Sequence, residues 1–116
     1  MRILVAEDDK VSRMVLCRPL QRLGDYQLDE AADGAEAWQL FQKYRHPIVI
    51  SDWMMPELDG LELCTRIRSL DCSEYTYLIM LTAKAQREDR NKAQDGGADD
   101  FLSKPLEHSE LAARLH

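Results

Sequence analysis

The sequence has few of the features that mark disulfide-rich, zinc-binding or membrane proteins. Its three cysteines, Cys17, Cys64 and Cys72, are odd in number and lack the paired spacing of a zinc site, so we expect reduced thiols that pack or lie at the surface. No apolar stretch is long enough to span a bilayer, and none leads into a small-residue cleavage pattern. We therefore expect a cytoplasmic protein without membrane contact.

Basic side chains are outnumbered by acidic ones. The 116 residues include 15 basic and 21 acidic side chains, a net charge of -6, which argues against direct contact with nucleic acid. A chain of this length fits one domain, and folding removes roughly 65% of its unfolded surface from water. Charged residues make up 31% and apolar residues 45%, which is the composition of a globular domain.

Short apolar segments alternate with longer amphipathic ones along the whole chain. The pattern predicts strands over residues 3–6, 26–31, 48–50, 75–81 and 100–103, and helices over 10–24, 33–44, 58–70, 84–97 and 106–116. Because each parallel return needs a crossover helix, strict alternation predicts a doubly wound α/β fold with a parallel sheet covered on both faces. The last helical pattern is still running at residue 116, so we expect this domain to be the N-terminal part of a longer protein.

Helical spacing predicts which side chains face the core. In the first helix five apolar residues are expected inward: Val11, Met14, Val15, Leu20 and Leu23. Pro19 is expected to bend that helix. The helix over 84–97 has almost no large apolar residues, so it is expected to pack weakly. The three histidines stand apart from any chemical cluster and are expected at the surface: His46, His108 and His116.

Polar side chains follow four of the five predicted strands. They are Glu7, Asp8 and Asp9 after the first, Asp52 after the third, Thr82 after the fourth, and Lys104 with Pro105 after the fifth. The carboxyl ends of parallel strands line the functional crevice of such a sheet. Clustered carboxylates repel one another, and Mg²⁺ relieves that repulsion. A carboxylate there can attack phosphorus, assisted by the charge of Lys104 and the hydroxyl of Thr82.

Each of these residues also has a simpler interpretation. Asp9 and Thr82 are common helix caps, and Asp52 is a common turn residue. Their joint occurrence at successive strand ends is what favours a phosphoryl-transfer site. A haloacid-dehalogenase-like phosphohydrolase is an alternative, but it needs an acid two residues after the nucleophile, where Met54 stands. A flavodoxin-like cofactor binder is another, but it would need a hydroxyl- or glycine-rich phosphate loop after the first strand, where "AEDDK" would repel a phosphate unless a metal intervened.

Four motifs carry a family resemblance over residues 2–116: "ILVAEDD", "VISDWMMPELDGLEL", "LIMLTAK" and "GADDFLSKPL". In their order and spacing the chain resembles the receiver domains of bacterial two-component response regulators, the CheY-like superfamily. The resemblance implies a flavodoxin-like sheet of five strands in the order 2-1-3-4-5 with five helices. It also implies these site residues: Asp52 as phosphoacceptor; Asp8, Asp52, Glu7 and the Met54 carbonyl as metal ligands; Lys104 and Thr82 as catalytic groups; Thr82 and Phe101 as switch residues.

The resemblance further implies a function and partners. A sensor histidine kinase or phosphotransfer protein would phosphorylate Asp52 in the presence of Mg²⁺, with Mn²⁺ as an alternative ion. The protein would catalyse its own phosphorylation and dephosphorylation without turning over external substrates. The face of helix four, strand five and helix five would change shape, controlling a partner, a phosphorylation-dependent dimer or a C-terminal output domain. The sequences of the motifs are most similar to those of receivers joined to a diguanylate cyclase or another enzymatic module.

Overall fold

The computed structural model describes residues 2–24, 26–53, 55, 58–70, 75–82 and 97–103, without the side chains of Leu23, Thr82 and residues 101–103. The elements in chain order are β1 (Arg2–Ala6), α1 (Lys10–Leu23), β2 (Gln27–Ala31), α2 (Gly34–Tyr44), β3 (Ile48–Asp52), α3 (Gly60–Ser69), β4 (Tyr77–Thr82) and β5 (Asp100–Ser103). The helix predicted over 106–116, and residues 84–96 of the one before it, lie outside the described residues. Within the described part, no helix has the length and apolarity needed to cross a membrane.

The five strands form one parallel sheet in the order β2-β1-β3-β4-β5, as expected. The central strands β1 and β3 are apolar and almost fully buried, whereas β2, at one edge of the sheet, has the polar sequence QLDEA. Apolar residues suit strands covered on both faces, and polar ones suit an edge. Ala6 pairs with Ser51, so the acids that follow β1 and Asp52 at the end of β3 reach the same edge.

Three aspartates begin the three described helices. The carboxylates of Asp9, Asp33 and Asp59 accept hydrogen bonds from the backbone N–H three residues later in α1, α2 and α3. In α2 and α3 that N–H belongs to Glu36 and Glu62, whose negative charge also suits a helix start. Such caps contribute about 1 kcal/mol each. The simpler interpretation of Asp9, as a cap, is confirmed.

The core has two layers, one on each face of the sheet. Alternate residues of β1 divide between them, because successive side chains of a strand point to opposite faces. One layer joins the sheet to α2 and α3 through Leu4, Phe41, Val49, Leu63, Ile67 and Met80. The other joins it to α1 through Ile3, Val5, Leu16, Leu20, Ile50 and Ile79. The sheet is therefore covered on both faces, as predicted.

The inward face of α1 differs from the prediction. Val11, Met14 and Val15 are 67%, 45% and 63% exposed, while Leu16, Cys17 and Leu20 form the buried stripe. Of the predicted inward residues with a described side chain, only Leu20 is buried. This helix has more apolar residues than one face can bury, so periodicity alone selected the wrong set. Pro19 lies inside a helix that is continuous over Lys10–Leu23.

His46 is also placed differently from the prediction, since it is fully buried. Its Nε2 lies 2.7 Å from Oδ2 of Asp29, and Arg2 donates to the same carboxylate oxygen at 2.9 Å. The carbonyl of His46 accepts from the hydroxyl of buried Thr76. Arg45, in the left-handed conformation with φ 52°, ends α2 and turns the chain inward at this point. His46, Asp29 and Arg2 form a polar cluster at the edge where the strands start. Because these residues are distant in sequence, no local pattern around His46 predicted the cluster.

Burial is the main reason that His46 stays neutral, and the nearby charge of Arg2 adds a smaller effect. Burial lowers the pKa of His46, and it outweighs the hydrogen bond with Asp29, which acts in the opposite direction. Burial alone would raise the pKa of Asp29, but the hydrogen bonds from His46 and Arg2 together lower it. Because Arg2 already supplies the counter-charge, a second positive charge on His46 is unfavourable.

The histidine makes stability depend on pH. The unfolded state binds a proton at His46 below a pKa of about 6.5 and the folded state resists it, so the free energy of unfolding should fall as the pH drops below that value. The slope for one proton is at most about 1.4 kcal/mol per pH unit. Urea unfolding of the parent between pH 7.5 and 5.5 should show this fall.

The matched variant is His46→Gln, which keeps an N–H donor but does not titrate. It should flatten the slope, whereas His116→Gln, as the control for removing a histidine, should keep it. A parent whose stability is constant over this pH range, or a His46→Gln variant with the parent's slope, would contradict the assignment.

Candidate functional site

Three predicted acids meet at the carboxyl edge of the sheet. Glu7 and Asp8 follow β1 directly, and Asp52 is the last residue of the neighbouring strand β3. One carboxylate oxygen from each of the three lies within 4.8 Å of the other two. Glu7 and Asp52 are buried and Asp8 is exposed, so the group is closed on the protein side and open toward solvent.

The chemistry of this group suits a hard divalent cation. Carboxylates this close repel one another, and two of them have lost much of their hydration through burial. Mg²⁺ binds oxygen ligands, usually one or two carboxylates together with several waters and phosphate oxygens. The exposed side at Asp8 leaves space for such ligands. The residues present therefore fit the ion that the sequence predicted.

The backbone of Glu7 is fixed from several directions. Its N–H donates to the carbonyl of Ala31 at 3.0 Å, which extends the contact between β1 and β2 by one residue. Its carbonyl accepts from Nη1 of Arg13 at 2.9 Å, and its Oε1 accepts from the N–H of Asp9 at 3.2 Å. The acid is therefore part of a rigid corner between β1 and α1.

Asp52 is held by the chain on both sides of it. The Ser51 hydroxyl donates to the Asp52 carbonyl at 2.9 Å, and the Trp53 N–H donates to the Leu81 carbonyl at 2.9 Å. The Gly60 N–H donates to the Trp53 carbonyl at 2.8 Å, which brings the start of α3 against the end of β3. A Cβ atom on Gly60 would overlap the Asp52 carbonyl oxygen and lie 2.8 Å from Sδ of Met80.

Sequence reasoning missed Gly60 and Arg13 as supports of this site. A glycine directly after the capping Asp59 was a usable signal for close backbone approach. No comparable signal pointed to Arg13, because its two acceptors come from β2 and from the residue after β1. Long-range hydrogen bonds of this kind leave no local pattern.

The other predicted site residues are described only in part. Thr82 ends β4 and pairs with Ser103, and Phe101 lies in β5 opposite Met80, but neither side chain is described. Met54 and Lys104 lie outside the described residues. The structure thus brings together Glu7, Asp8 and Asp52, and it places the Thr82 backbone at the same edge of the sheet.

Comparisons with known sequences agree on one family. The model of the response regulator receiver domain matches residues 3–116. The response regulator MprA of Mycobacterium sp. (strain KMS) is 42% identical over 114 residues, which are 98% of this chain and 48% of that protein. The chain therefore spans about half the length of the curated relatives it matches.

Solved structures show the same fold. Chemotaxis protein CheY4 of Vibrio cholerae is 32% identical, with a TM-score of 0.90 over 98% of this chain and 94% of that chain. The receiver domain of sensor histidine kinase PA1611 from Pseudomonas aeruginosa PAO1 is 32% identical, with a TM-score of 0.88 over 98% of this chain and 93% of that chain. That structure holds a magnesium ion coordinated in its active site cleft.

The contact between Gly60 and the Asp52 backbone predicts an unusual effect of alanine. Alanine in a helix is normally better than glycine by about 0.5–1 kcal/mol, but Gly60→Ala should lower the free energy of unfolding by about 1–3 kcal/mol because backbone atoms must move. Urea unfolding measures the change. Gly24→Ala is the control: this exposed glycine has extended backbone and meets only the ring of Tyr26 at 3.3 Å, so the change should be small. Equal stability of Gly60→Ala and the parent would rule out the tight contact.

Proposed function

The chain belongs to the response regulator receiver domain family, and we propose from this that Asp52 accepts a phosphoryl group and that the domain acts as a phosphorylation-dependent signalling switch. The observation that carries the proposal is the meeting of Glu7, Asp8 and Asp52 within 4.8 Å at the edge of the sheet. Turns or helix caps alone would not require two buried carboxylates to lie side by side.

The proposed metal site consists of Glu7, Asp8, Asp52 and the backbone carbonyl of Met54. Mg²⁺ is the proposed ion, with Mn²⁺ as an alternative, since both accept a set of carboxylate, carbonyl and water oxygens. When bound, such an ion neutralises the acids and the oxygens of the incoming phosphoryl group. The magnesium ion in the PA1611 receiver domain supports this assignment.

The proposed reaction is attack of an Asp52 carboxylate oxygen on the phosphorus of a phosphohistidine. The O–P bond forms as the P–N bond breaks, and the imidazole leaves with the bonding electron pair and takes up a proton. Water attacking the same phosphorus later returns the carboxylate and releases inorganic phosphate. Asp52 suits this role because its backbone is held at the end of a buried strand, so little reorganisation is needed.

We assign the response to phosphorylation to the strands on one side of Asp52. Thr82 and Lys104 are proposed to contact the phosphoryl oxygens, and Phe101 to move with Thr82. The pairing of Thr82 with Ser103 supports this, since Lys104 directly follows Ser103 in the sequence. The face formed by β5 and the helices predicted over 84–97 and 106–116 would then change shape and provide a phosphorylation-dependent dimer contact.

The partners of the whole protein are also proposals. A sensor histidine kinase or phosphotransfer protein would donate the phosphoryl group in the cytoplasm, and an output domain C-terminal to residue 116 would receive the signal. The length of the curated relatives supports such a domain, and a diguanylate cyclase or another enzymatic module is our proposal for it. The net charge of -6 supports the absence of direct nucleic-acid contact by this segment.

The exposed side of α1 is the proposed docking surface for the phosphodonor protein. Val11, Met14 and Val15 are exposed on a helix that begins two residues after Asp8. The helix contains four basic residues and no acidic one, in a chain whose net charge is -6. A partner helix with apolar residues flanked by acids would complement this surface and bring its phosphohistidine near the acidic group.

Intact-mass measurement tests the phosphoacceptor. After incubation with acetyl phosphate and Mg²⁺ the parent should gain one phosphoryl group, and chelation of the metal should prevent the gain. Asp52→Asn should gain none. Asp9→Asn, which alters a helix cap outside the acidic group, should still be modified. A parent that gains nothing, or an Asp52→Asn variant modified as fully as the parent, would overturn the proposal.

The docking surface is tested by comparing two phosphodonors. Val15→Glu should slow transfer from an autophosphorylated sensor kinase by about 10-fold, because a buried charge weakens a packed interface, and should leave transfer from acetyl phosphate unchanged. The donor is the kinase that phosphorylates the parent fastest in a panel of purified kinases.

The control for this comparison is Thr65→Glu, which adds the same charge at an exposed position of α3, on the opposite face of the sheet. It should leave both rates unchanged. Equal slowing with both donors in Val15→Glu would mean damage to the site, and no slowing with either would remove α1 from the interface.

A further inference from the structure

We propose that Arg13 is a positioning residue that holds the corner between β1 and α1 in the geometry required for metal binding by Glu7 and Asp8. The inference rests on the proposed function, since it concerns the same metal site. A positively charged arginine would thus help to assemble a site for Mg²⁺. Repulsion between the two charges and positioning by Arg13 predict opposite changes in Mg²⁺ affinity when Arg13 is replaced.

The contacts of Arg13 come from one guanidinium that bridges two parts of the chain. Arg13 lies in the first turn of α1, and its side chain is 18% exposed. Nη1 donates to the Glu7 carbonyl at 2.9 Å, and Nε donates to Oε1 of Glu30 at 3.2 Å. The side chain therefore reaches back from α1 to the residue after β1 and to the edge strand β2.

The bond to Glu7 fixes a peptide plane. The carbonyl of Glu7 and the N–H of Asp8 belong to the same planar peptide group, so holding that carbonyl also fixes the direction in which the chain enters Asp8. Glu7 is 2% exposed, and a buried carbonyl that loses its hydrogen-bond donor is destabilised. Without this donor the peptide would be expected to rotate toward water and carry Asp8 with it.

Glu30 explains how a positive charge can lie behind a cation site. The ion pair between Arg13 and Glu30, at 3.2 Å, offsets the charge of the guanidinium. The three carboxylates of the site then keep most of their attraction for a divalent ion. A guanidinium also has the planar fork needed to donate in two fixed directions, which a lysine ammonium lacks.

Two substitutions separate positioning from charge. Arg13→Lys keeps the charge but loses the fork, and it should weaken Mg²⁺ binding by about 10-fold, as is typical when a residue supporting a metal ligand is lost. Arg13→Gln removes a positive charge, which by electrostatics alone would tighten Mg²⁺ binding; positioning predicts that binding weakens. Isothermal titration calorimetry with Mg²⁺ measures both variants, and Arg18→Lys, an exposed arginine on the same helix, is the control.

A second measurement needs no metal. Amide hydrogen exchange of the metal-free protein should be faster at Asp8 and Asp9 in Arg13→Lys than in the parent or in Arg18→Lys, while exchange in β3 stays unchanged. This readout reports the local corner even where a variant loses some global stability.

The outcomes distinguish this inference from the proposed function. Parent-like Mg²⁺ affinity in Arg13→Lys, or tighter binding in Arg13→Gln, would overturn the role of Arg13 and leave the proposed function standing. Failure of the parent to bind Mg²⁺ would overturn both. Weaker binding in both variants, with faster exchange confined to the corner and no effect of Arg18→Lys, is the expected result.

Discussion

The repulsion between two buried carboxylates is the constraint on which the functional end of this molecule depends. Glu7 and Asp52 reach the same edge because β1 and β3 are neighbours in a parallel sheet, and both side chains are almost completely buried there. Burial of like charges is unfavourable unless a cation or hydrogen bonds compensate for it. The surrounding backbone contacts hold the acids in place, so the proposed ion would meet acids that are already ordered.

The first helix, α1, contributes to the core, to the support of the acidic group and to an exposed apolar surface. Its buried stripe, with Leu16 and Leu20, covers one face of the sheet. Its first turn carries Arg13, which contacts the backbone beside the acidic group, and its outer side exposes Val11 and Val15 next to the same site. Because all these features lie on one helix, the position of the proposed docking surface is linked to the geometry of the acids.

At the opposite edge of the sheet, Asp29 and Arg68 each have polar partners. Asp29 is bound by Arg2 and by neutral His46. A second network at the strand starts centres on Arg68, which donates to the carbonyls of Thr76 and Gly97 and to the carboxylate of Asp99. These contacts tie the end of α3 to the residues before β4 and β5. The strands are thus anchored at the edge away from Asp52.

The sequence by itself determined the alternation of strands and helices, the parallel sheet and the identity of the acids at its edge. These follow from local patterns: apolar runs, capping aspartates and the position of Asp52 after a buried strand. Only the tertiary structure decided which side of α1 is buried, because that helix has apolar residues on more than one side and the sheet selects Leu16 and Leu20. It also decided that His46 is buried, since its partner Asp29 is distant in sequence.

The contacts that support the site were also decided only by the tertiary structure. Arg13 meets Glu7 and Glu30 only after β1, β2 and α1 have packed, and Gly60 meets the Asp52 carbonyl only when α3 lies against β3. Local sequence specifies which elements form and where their polar ends fall. The contacts that hold a functional group in place run between elements, so they are set by packing and by long-range hydrogen bonds, which no short stretch of sequence encodes.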